Sequence, residues 1–341
     1  MSARDTQPTR GVILQPVDTP ETFVSMVREI ESLGYANLWC TDSSLHARNA
    51  YSYLTLAAVN TSTMRLGTAV TNPLTRHPAI TASAAATVDE VSGGRMILGI
   101  GAGDRPLLAL GLQPSRLVDL EAAIADIRQL WRGDTVDRRA HSYVLHEAHM
   151  RIPARADIAV YISASGPRTL ELAGRVADGV LILAGLFDEA IQWAVSCVLK
   201  GARDGGRGPG DLPHIAVCAY GAINDEDPEL ALAPARTIAT WFPQTAPYVC
   251  ELAGLDAAIV EGVQATYRGG EFHEAGEAGR LLPDWFIRRV ALSGDRAAAT
   301  AQIQTVLAAG ADSVQLFPLG SDRMATVRAF VDSWNAAVPS P

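Results

Sequence analysis

Short apolar runs alternate with longer segments of helical periodicity along most of the chain. Residues 11–15 form one such run, and residues 21–33 then place apolar side chains three to four positions apart until Gly34. That spacing is typical of a helix with one buried face, and a glycine often ends a helix. The first unit of the chain is therefore predicted to be a strand followed by a helix.

Eight units of this kind follow one another. The predicted strands are residues 11–15, 36–41, 65–70, 96–100, 158–163, 179–183, 215–221 and 313–317. The predicted helices include residues 21–33, 51–61, 79–91, 119–130, 167–175, 187–199, 297–309 and 324–334. The strand segments are apolar throughout instead of alternating, which indicates a parallel sheet covered on both faces. Eight strand–helix units favour an α/β fold of the (β/α)8 TIM-barrel type over an open sheet.

Three parts of the chain fall outside the minimal barrel. Residues 1–10 are polar and are predicted to form a flexible tail before a single barrel domain over residues 11–337. Residues 141–152 alternate between apolar and polar positions and predict a hairpin insertion. Residues 225–289 are too long for one connection and predict an insertion of two or more helices.

The acidic charge balance argues against nucleic acid as a binding partner of this protein. The chain has 28 basic and 37 acidic residues and a net charge of −9, whereas a nucleic-acid-binding protein needs a basic face. No apolar run approaches the roughly 18–20 residues that span a bilayer, and the polar N-terminus has no signal-peptide core. We therefore expect a cytoplasmic protein that binds a small molecule, with neither nucleic acid nor a membrane as its partner.

Lysine and cysteine usage argues against several chemistries. Lys200 is the only lysine, and because Gly201 and Ala202 follow it, the chain has no Gly-Lys-Ser/Thr phosphate loop. At the end of a helical segment, Lys200 is more simply a solvated cation than a Schiff-base lysine. The four cysteines are never within three residues of one another, a spacing that predicts no metal or redox site.

The carboxyl ends of the strands are where the active site of a (β/α)8 barrel lies. Asp42 ends the second strand, where a carboxylate suits either hydrogen bonds from a bound heterocycle or the capping of a helix. His46, four residues later, is the best candidate for a proton donor. His77 more simply holds the turn after the third strand. The hairpin histidines are more simply solvated than bound to a metal: His141, His146 and His149.

Two strand ends are rich in glycine or serine. Residues 99–104 have the spacing GxGxG after the fourth strand, whereas a dinucleotide fingerprint needs GxGxxG in a first βαβ unit. The remaining alternatives are a tight turn and a close approach of the backbone to a ligand. Residues 163–167 open a helix, so their N–H groups and hydroxyls suit either a phosphate or simple capping by Ser165.

Several motifs at these strand ends resemble a known family. Residues 65–83 read Arg-Leu-Gly-Thr-Ala-Val-Thr-Asn-Pro-Leu-Thr-Arg-His-Pro-Ala-Ile-Thr-Ala-Ser. Residues 89–95 read Asp-Glu-Val-Ser-Gly-Gly-Arg, and residues 99–104 read Gly-Ile-Gly-Ala-Gly-Asp. The chain resembles the luciferase-like superfamily of flavin and deazaflavin oxidoreductases over about residues 11–331. It is most similar to the branch that uses coenzyme F-420, including methylenetetrahydromethanopterin reductase. Further matching motifs lie at residues 161–175, 178–179, 293–295 and 309–312.

The resemblance implies the same barrel and a set of cofactor contacts. The implied cofactor is coenzyme F-420, an 8-hydroxy-5-deazaflavin, with FMN as the alternative. Asp42 would contact its ring system, and a cis peptide between Ala69 and Val70 would back the ring. Other residues implied to contact the ring edge or its surroundings are Thr71, Asn72, Gly101, Ala102, Gly103 and Asp104. Those implied to hold the phosphate or side arm are Ser163, Ala164, Ser165, Gly166, Pro167 and Arg168.

The chain departs from one branch of this family. Its glucose-6-phosphate dehydrogenases have a catalytic histidine directly after the aspartate, where this chain has Ser43, and they bind the sugar phosphate with lysines. Sugar-phosphate oxidation is therefore not expected. The resemblance implies hydride transfer between F-420 and a small organic substrate by a homodimer. The alternatives are a monooxygenase that uses reduced FMN from a partner reductase, and a non-catalytic cofactor-binding barrel.

Overall fold

The computed structural model describes residues 7–43, 45–103, 107, 109–267 and 272–339. Its strands are β1 Thr9–Leu14, β2 Asn37–Cys40, β3 Arg65–Thr68, β4 Met96–Ile100, β5 Val136–Arg139, β6 Val144–Ala148, β7 Ala159–Ala164, β8 Gly179–Ile182, β9 His214–Ile223, β10 Leu292–Gly294 and β11 Ser313–Pro318. The helices of the first part of the chain are α1 Pro20–Ser32, α2 Ala50–Asn60, α3 Pro78–Ser92, α4 Leu117–Trp131, α5 Pro167–Val176 and α6 Asp188–Asp204. The later helices are α7 Leu232–Ala239, α8 Trp241–Thr245, α9 Pro247–Ala253, α10 Ala257–Thr266, α11 Phe272–Gly279, α12 Asp284–Val290, α13 Arg296–Ala308 and α14 Arg323–Ala337.

Eight parallel strands close into a barrel. Their order around the ring is β1, β2, β3, β4, β7, β8, β9 and β11, and β11 pairs with β1 to complete it. The predicted (β/α)8 barrel is confirmed, and each predicted strand lies within two residues of its observed bounds. The first strand begins at Thr9, which pairs with Ser313, so it takes up the end of the predicted tail. Residues 1–6 of that tail lie outside the described residues.

Two insertions extend the barrel. The predicted hairpin is the antiparallel pair β5 and β6, and it covers residues 136–148 instead of 141–152. The prediction began too late because the first of these strands ends in Asp137, Arg138 and Arg139, charged residues that hide its alternation. Between β9 and β10, helices α7 to α12 follow the 3-10 helix Pro228–Ala231, at the place of the predicted helical insertion. No helix in the described ranges is both long and apolar enough to cross a membrane.

Buried side chains fill the middle of the barrel, and the barrel is open at the carboxyl ends of its strands. Successive strand side chains face alternately outward and inward. The buried inward-facing residues are Ile13, Trp39, Ile97, Tyr161, Leu181, Ala216 and Cys218. Towards the carboxyl ends, the inward-facing side chains are only partly buried: Gln15, Ala69, Val70, Ser163, Leu183, Tyr220 and Phe317. This open end is the natural place for a ligand.

Candidate active site at the carboxyl ends of the strands

A buried ion pair lies at the ends of β2 and β3. The Asp42 side chain is 4% exposed, and the Nη2 atom of Arg76 donates to its two oxygens at 3.2 and 3.3 Å. The same guanidinium lies 4.7 Å from the centre of the Tyr51 ring. The paired cation makes a buried carboxylate tolerable at this position. Of the two roles open to Asp42, helix capping is excluded, because Asn49 caps the following helix α2.

The ion pair between Asp42 and Arg76 affects the pKa of the neighbouring Tyr51 phenol. Burial and the negative charge of Asp42 raise the pKa of the Tyr51 phenol, while Arg76 and the Thr71 and Thr68 hydroxyls act in the opposite direction. The phenol therefore remains protonated at neutral pH.

The backbone bulges just past β3. The peptide bond between Ala69 and Val70 is cis, as the resemblance predicted. Both side chains pack toward the barrel interior, although neighbours on a regular strand face opposite sides. The Thr71 N–H donates to the Gly99 carbonyl at 3.0 Å, and the Thr71 carbonyl accepts from the Gly101 N–H at 2.9 Å. The bulge is thus fixed against the end of β4.

Several buried polar atoms near this bulge have no hydrogen-bond partner within the protein. They are Thr41 Oγ1, Thr75 Oγ1 and Arg76 Nε. Buried polar groups are normally satisfied, because burial without a partner costs about 1–3 kcal/mol. A polar ligand at the ends of β2 and β3 would supply the missing partners, so the residues present fit such a ligand.

The turn that follows the bulge is held by its own side chains. Asn72 Oδ1 accepts from the N–H groups of Leu74 and Thr75 at 3.0 and 2.9 Å. His77 Nδ1 accepts from the Ala79 N–H at 3.2 Å, and its Nε2 lies 3.1 Å from the Val144 carbonyl. His77 therefore caps α3 and ties the hairpin to this turn, which confirms the role predicted for it.

Close packing explains Gly99 near the end of β4 and Gly103 just after this strand. A Cβ atom at Gly99 would lie 1.8 Å from the Thr68 carbonyl oxygen. Gly103 has a φ of +95°, and a Cβ atom there would lie 2.3 Å from Leu107 Cδ1. A side chain at Gly103 would therefore point into this buried leucine. The Ala102 carbonyl accepts from the Ser115 N–H at 2.8 Å. The predicted contact Asp104 lies outside the described residues.

The start of α5 is open. Its N-cap is Gly166, no side chain caps the helix, and a Cβ atom at Gly166 would meet nothing within 4 Å. Capping by Ser165 is therefore excluded; its carbonyl instead accepts a hydrogen bond from the Tyr248 phenol of α9. Ser163 is partly buried in the barrel mouth, and Ala164 is buried beside it. The exposed residues that follow are Pro167 and Arg168. Free N–H groups at a helix start suit an anion.

His46 lies in the loop that follows β2. It is exposed, its N–H donates to the Ser43 carbonyl at 3.1 Å, and with Pro16 and Val17 it lines a groove of about 250 Å³ between the loops after β1 and β2. Within the described ranges, no three His, Cys, Asp or Glu residues are grouped so that they could hold a metal ion.

Sequence reasoning missed three residues of this region. Arg76 is 34 positions from Asp42, and no spacing rule connects them. Tyr220 and Phe317 were within the predicted strands, but their meeting at the barrel mouth depends on closure of the ring. The signal that could have found them is strand alternation: each lies an even number of positions from the inward-facing residues of its own strand.

Comparisons with known proteins agree with this geometry. The family described as luciferase-like monooxygenase matches residues 2–313. The chain is 35% identical over 270 residues to a 5,10-methylenetetrahydromethanopterin reductase of Methanolobus tindarius, covering 77% of this chain and 80% of that one. It is 32% identical over 338 residues to the enzyme of that name from Methanopyrus kandleri, covering 92% and 93%.

A solved structure has the same fold over nearly the whole chain. The coenzyme F-420 dependent tetrahydromethanopterin reductase from Methanopyrus kandleri superposes with a TM-score of 0.81 at 26% identity, covering 96% of this chain and 98% of that one. The names of these relatives are those of oxidoreductases, in agreement with the enzyme class predicted from the sequence.

Proposed function

The chain belongs to the luciferase-like monooxygenase family, and we propose that it is an oxidoreductase that transfers a hydride between coenzyme F-420 and a small organic substrate. Relatives that match most of its length are methylenetetrahydromethanopterin reductases, and a structure similar along the whole chain is named for its dependence on F-420. The observation within the molecule that carries the proposal is the open, partly polar mouth of the barrel beside the bulge at Ala69 and Val70.

The proposed cofactor site runs from β2 across β4 to α5. Thr41, Thr75 and Arg76 have unsatisfied atoms for the polar edge of a ring system, and Ala69 and Val70 form the surface behind it. The first N–H groups of α5, free of any side-chain cap, receive the phosphate. The roles of the other predicted contacts remain proposals, among them those of Asn72, whose oxygen already holds a turn.

When bound, the deazaflavin supplies the hydride chemistry, and the protein supplies binding, orientation and exclusion of water. The Arg76 guanidinium forms an ion pair with the Asp42 carboxylate and so holds it in one orientation. His46 is the proposed proton donor or acceptor, because it lines the groove at the ends of β1 and β2.

We propose F-420 over FMN. The similar reductase structure is named for F-420, and the exposed side chain of Arg168 beside the open helix start suits the anionic tail that F-420 carries beyond its phosphate. A homodimer in the cytoplasm, acting on a small molecule, remains our expectation for the assembly.

Side-by-side fluorescence titrations with F-420 and FMN test the cofactor assignment. We expect F-420 to bind more tightly than FMN, with a preference that shrinks at high salt because exposed charge pairs are screened. Tight binding of FMN without binding of F-420 would favour the monooxygenase alternative. Binding of neither would refute the proposal.

Two variants at Gly166 locate the phosphate. Gly166→Asp caps α5 but puts a negative charge where the anion is expected, so its F-420 affinity should fall by about tenfold or more, the size of a charged hydrogen bond. Gly166→Ser caps the helix without that charge, so it should bind F-420 more tightly than Gly166→Asp does. Equal affinities of the two variants would place the phosphate elsewhere.

A further inference from the structure

Two aromatic rings form a stacked pair at the mouth of the barrel. Tyr220 of β9 and Phe317 of β11 are register partners on adjacent strands, and their ring centres are 4.6 Å apart with planes inclined by 12°. Both rings pack on the interior cluster and are only partly buried. A stacked pair held by two neighbouring strands is a rigid apolar surface.

The strands on the other side of the mouth carry small residues. The ring order places β3 directly across from β9, four strands away in either direction. At the ends of β3, β4 and β7 the inward-facing side chains are the small ones of Ala69, Val70 and Ser163, and Gly101 has none. The mouth thus has a small-residue half on β3, β4 and β7 and an aromatic half on β8, β9 and β11.

The proposed cofactor contacts lie on the small-residue half or next to it. They extend from the ion pair after β2, past the bulge, to the start of α5 after β7. Small side chains there leave room for a ring system against the backbone. The space that remains beside such a ring is bounded by the aromatic half.

The aromatic half offers no charge at the described residues that come directly after its strands. The side chains directly after the three strands are uncharged: Leu183, Asn224 and Leu319. The next acidic residues after β9 and β1 are already in ion pairs: Asp225 contacts Arg296, and Asp18 lies 2.6 Å from Arg323. A charged substrate group placed here would lose its hydration without gaining a partner.

Resting on the proposed function, we propose that the aromatic half, defined by Leu183, Tyr220 and Phe317, binds a neutral and largely apolar group of the substrate. The stacked rings provide apolar contact area, and the described residues directly after these strands (Leu183, Asn224 and Leu319) supply no cation to pair with a carboxylate or a phosphate. Phe317 is therefore a specificity-determining residue that contacts substrate, while the cofactor is held by the opposite half.

Saturation-transfer NMR on protein loaded with F-420 tests this with two probes of equal size, benzamide and benzoate. Benzamide should bind at least about tenfold more tightly than benzoate, because only benzoate must leave a charge unpaired. Phe317→Leu should lower the affinity for benzamide by about two- to tenfold, the size of an aromatic contact, whereas Phe317→Tyr keeps the ring and should retain the parent affinity. Trp285→Leu, on α12 with a side chain that is 45% exposed, is the matched control and should change nothing.

An F-420 titration of the same samples separates the two proposals. F-420 binding retained by Phe317→Leu, together with weakened benzamide, supports the aromatic half as a substrate surface. Benzoate binding as well as benzamide, or benzamide affinity unchanged in Phe317→Leu, would overturn it while leaving the cofactor assignment in place. A parent protein that does not bind F-420 at all would overturn both.

Discussion

Replacing Arg76 by methionine should destabilise the protein more than loss of an ordinary surface arginine. The change keeps the apolar stem but removes the cation from Asp42, whose carboxylate is almost fully buried. Breaking a buried pair by removing one partner costs about 3–5 kcal/mol, since the other charge is left uncompensated. Because 19% of the Arg76 side chain is exposed, we expect about 3 kcal/mol. The lost contact with the Tyr51 ring is a smaller part of the effect.

A double-mutant cycle separates the ion pair from loss of packing. Free energies of unfolding from urea titration are compared for Arg76→Met, Asp42→Asn and the double variant. In the double variant the buried charge is gone, so its cost should fall below the sum of the single costs by about 2 kcal/mol. Arg296→Met is the control: this arginine contacts Asp225 and Asp332, but its side chain is 51% exposed, so the cost should be clearly smaller than that of Arg76→Met. Additive single costs, or an Arg76→Met variant no less stable than the control, would refute this account of the pair.

Three further outcomes follow from the contacts already described. Gly99→Ala should lower the free energy of unfolding in urea by about 3 kcal/mol or more, because its Cβ atom would lie 1.8 Å from the Thr68 carbonyl oxygen. A parent-like stability would show that β3 can move to make room for this atom. His77→Ala should cost about 1–2 kcal/mol through the lost cap of α3 and the lost hairpin contact, and unchanged stability would mean that neither contact matters. Burial raises the pKa of all four thiols, so iodoacetamide should modify the folded protein slowly at pH 8, starting with the partly buried Cys197. Its rate should increase with pH as the thiolate forms, and mass spectrometry that finds another cysteine modified first would contradict this.

The barrel was predictable because burial on both faces leaves a plain signature in the sequence. Each strand is a short apolar run, and each helix repeats its apolar face every three to four residues. The hairpin was located only in part, since Val136–Arg139 pairs through its backbone while exposing charged side chains. Local pattern therefore predicts elements whose side chains are buried and misses those that are held mainly by backbone pairing.

The site was predictable only where a motif marked it. The bulge at Ala69 and Val70 was reached through the resemblance to a known family, and the start of α5 was reached from the serine- and glycine-rich segment that opens this helix. The partnership of Asp42 with Arg76 and the stacking of Tyr220 on Phe317 join residues that are 34 and 97 positions apart. Such contacts arise from closure of the ring, which periodicity along the chain does not describe.

The two halves of the barrel mouth come from different parts of the sequence. The small-residue half and its flanking contacts come from residues 37–176, and the aromatic half comes from residues 179–318. A gene crossover near residue 177, between α5 and β8, would therefore exchange the surface proposed for the substrate and keep the residues proposed to contact the cofactor. The fold thereby permits new substrate preferences to be acquired by recombination of half-barrels, without rebuilding the cofactor site each time.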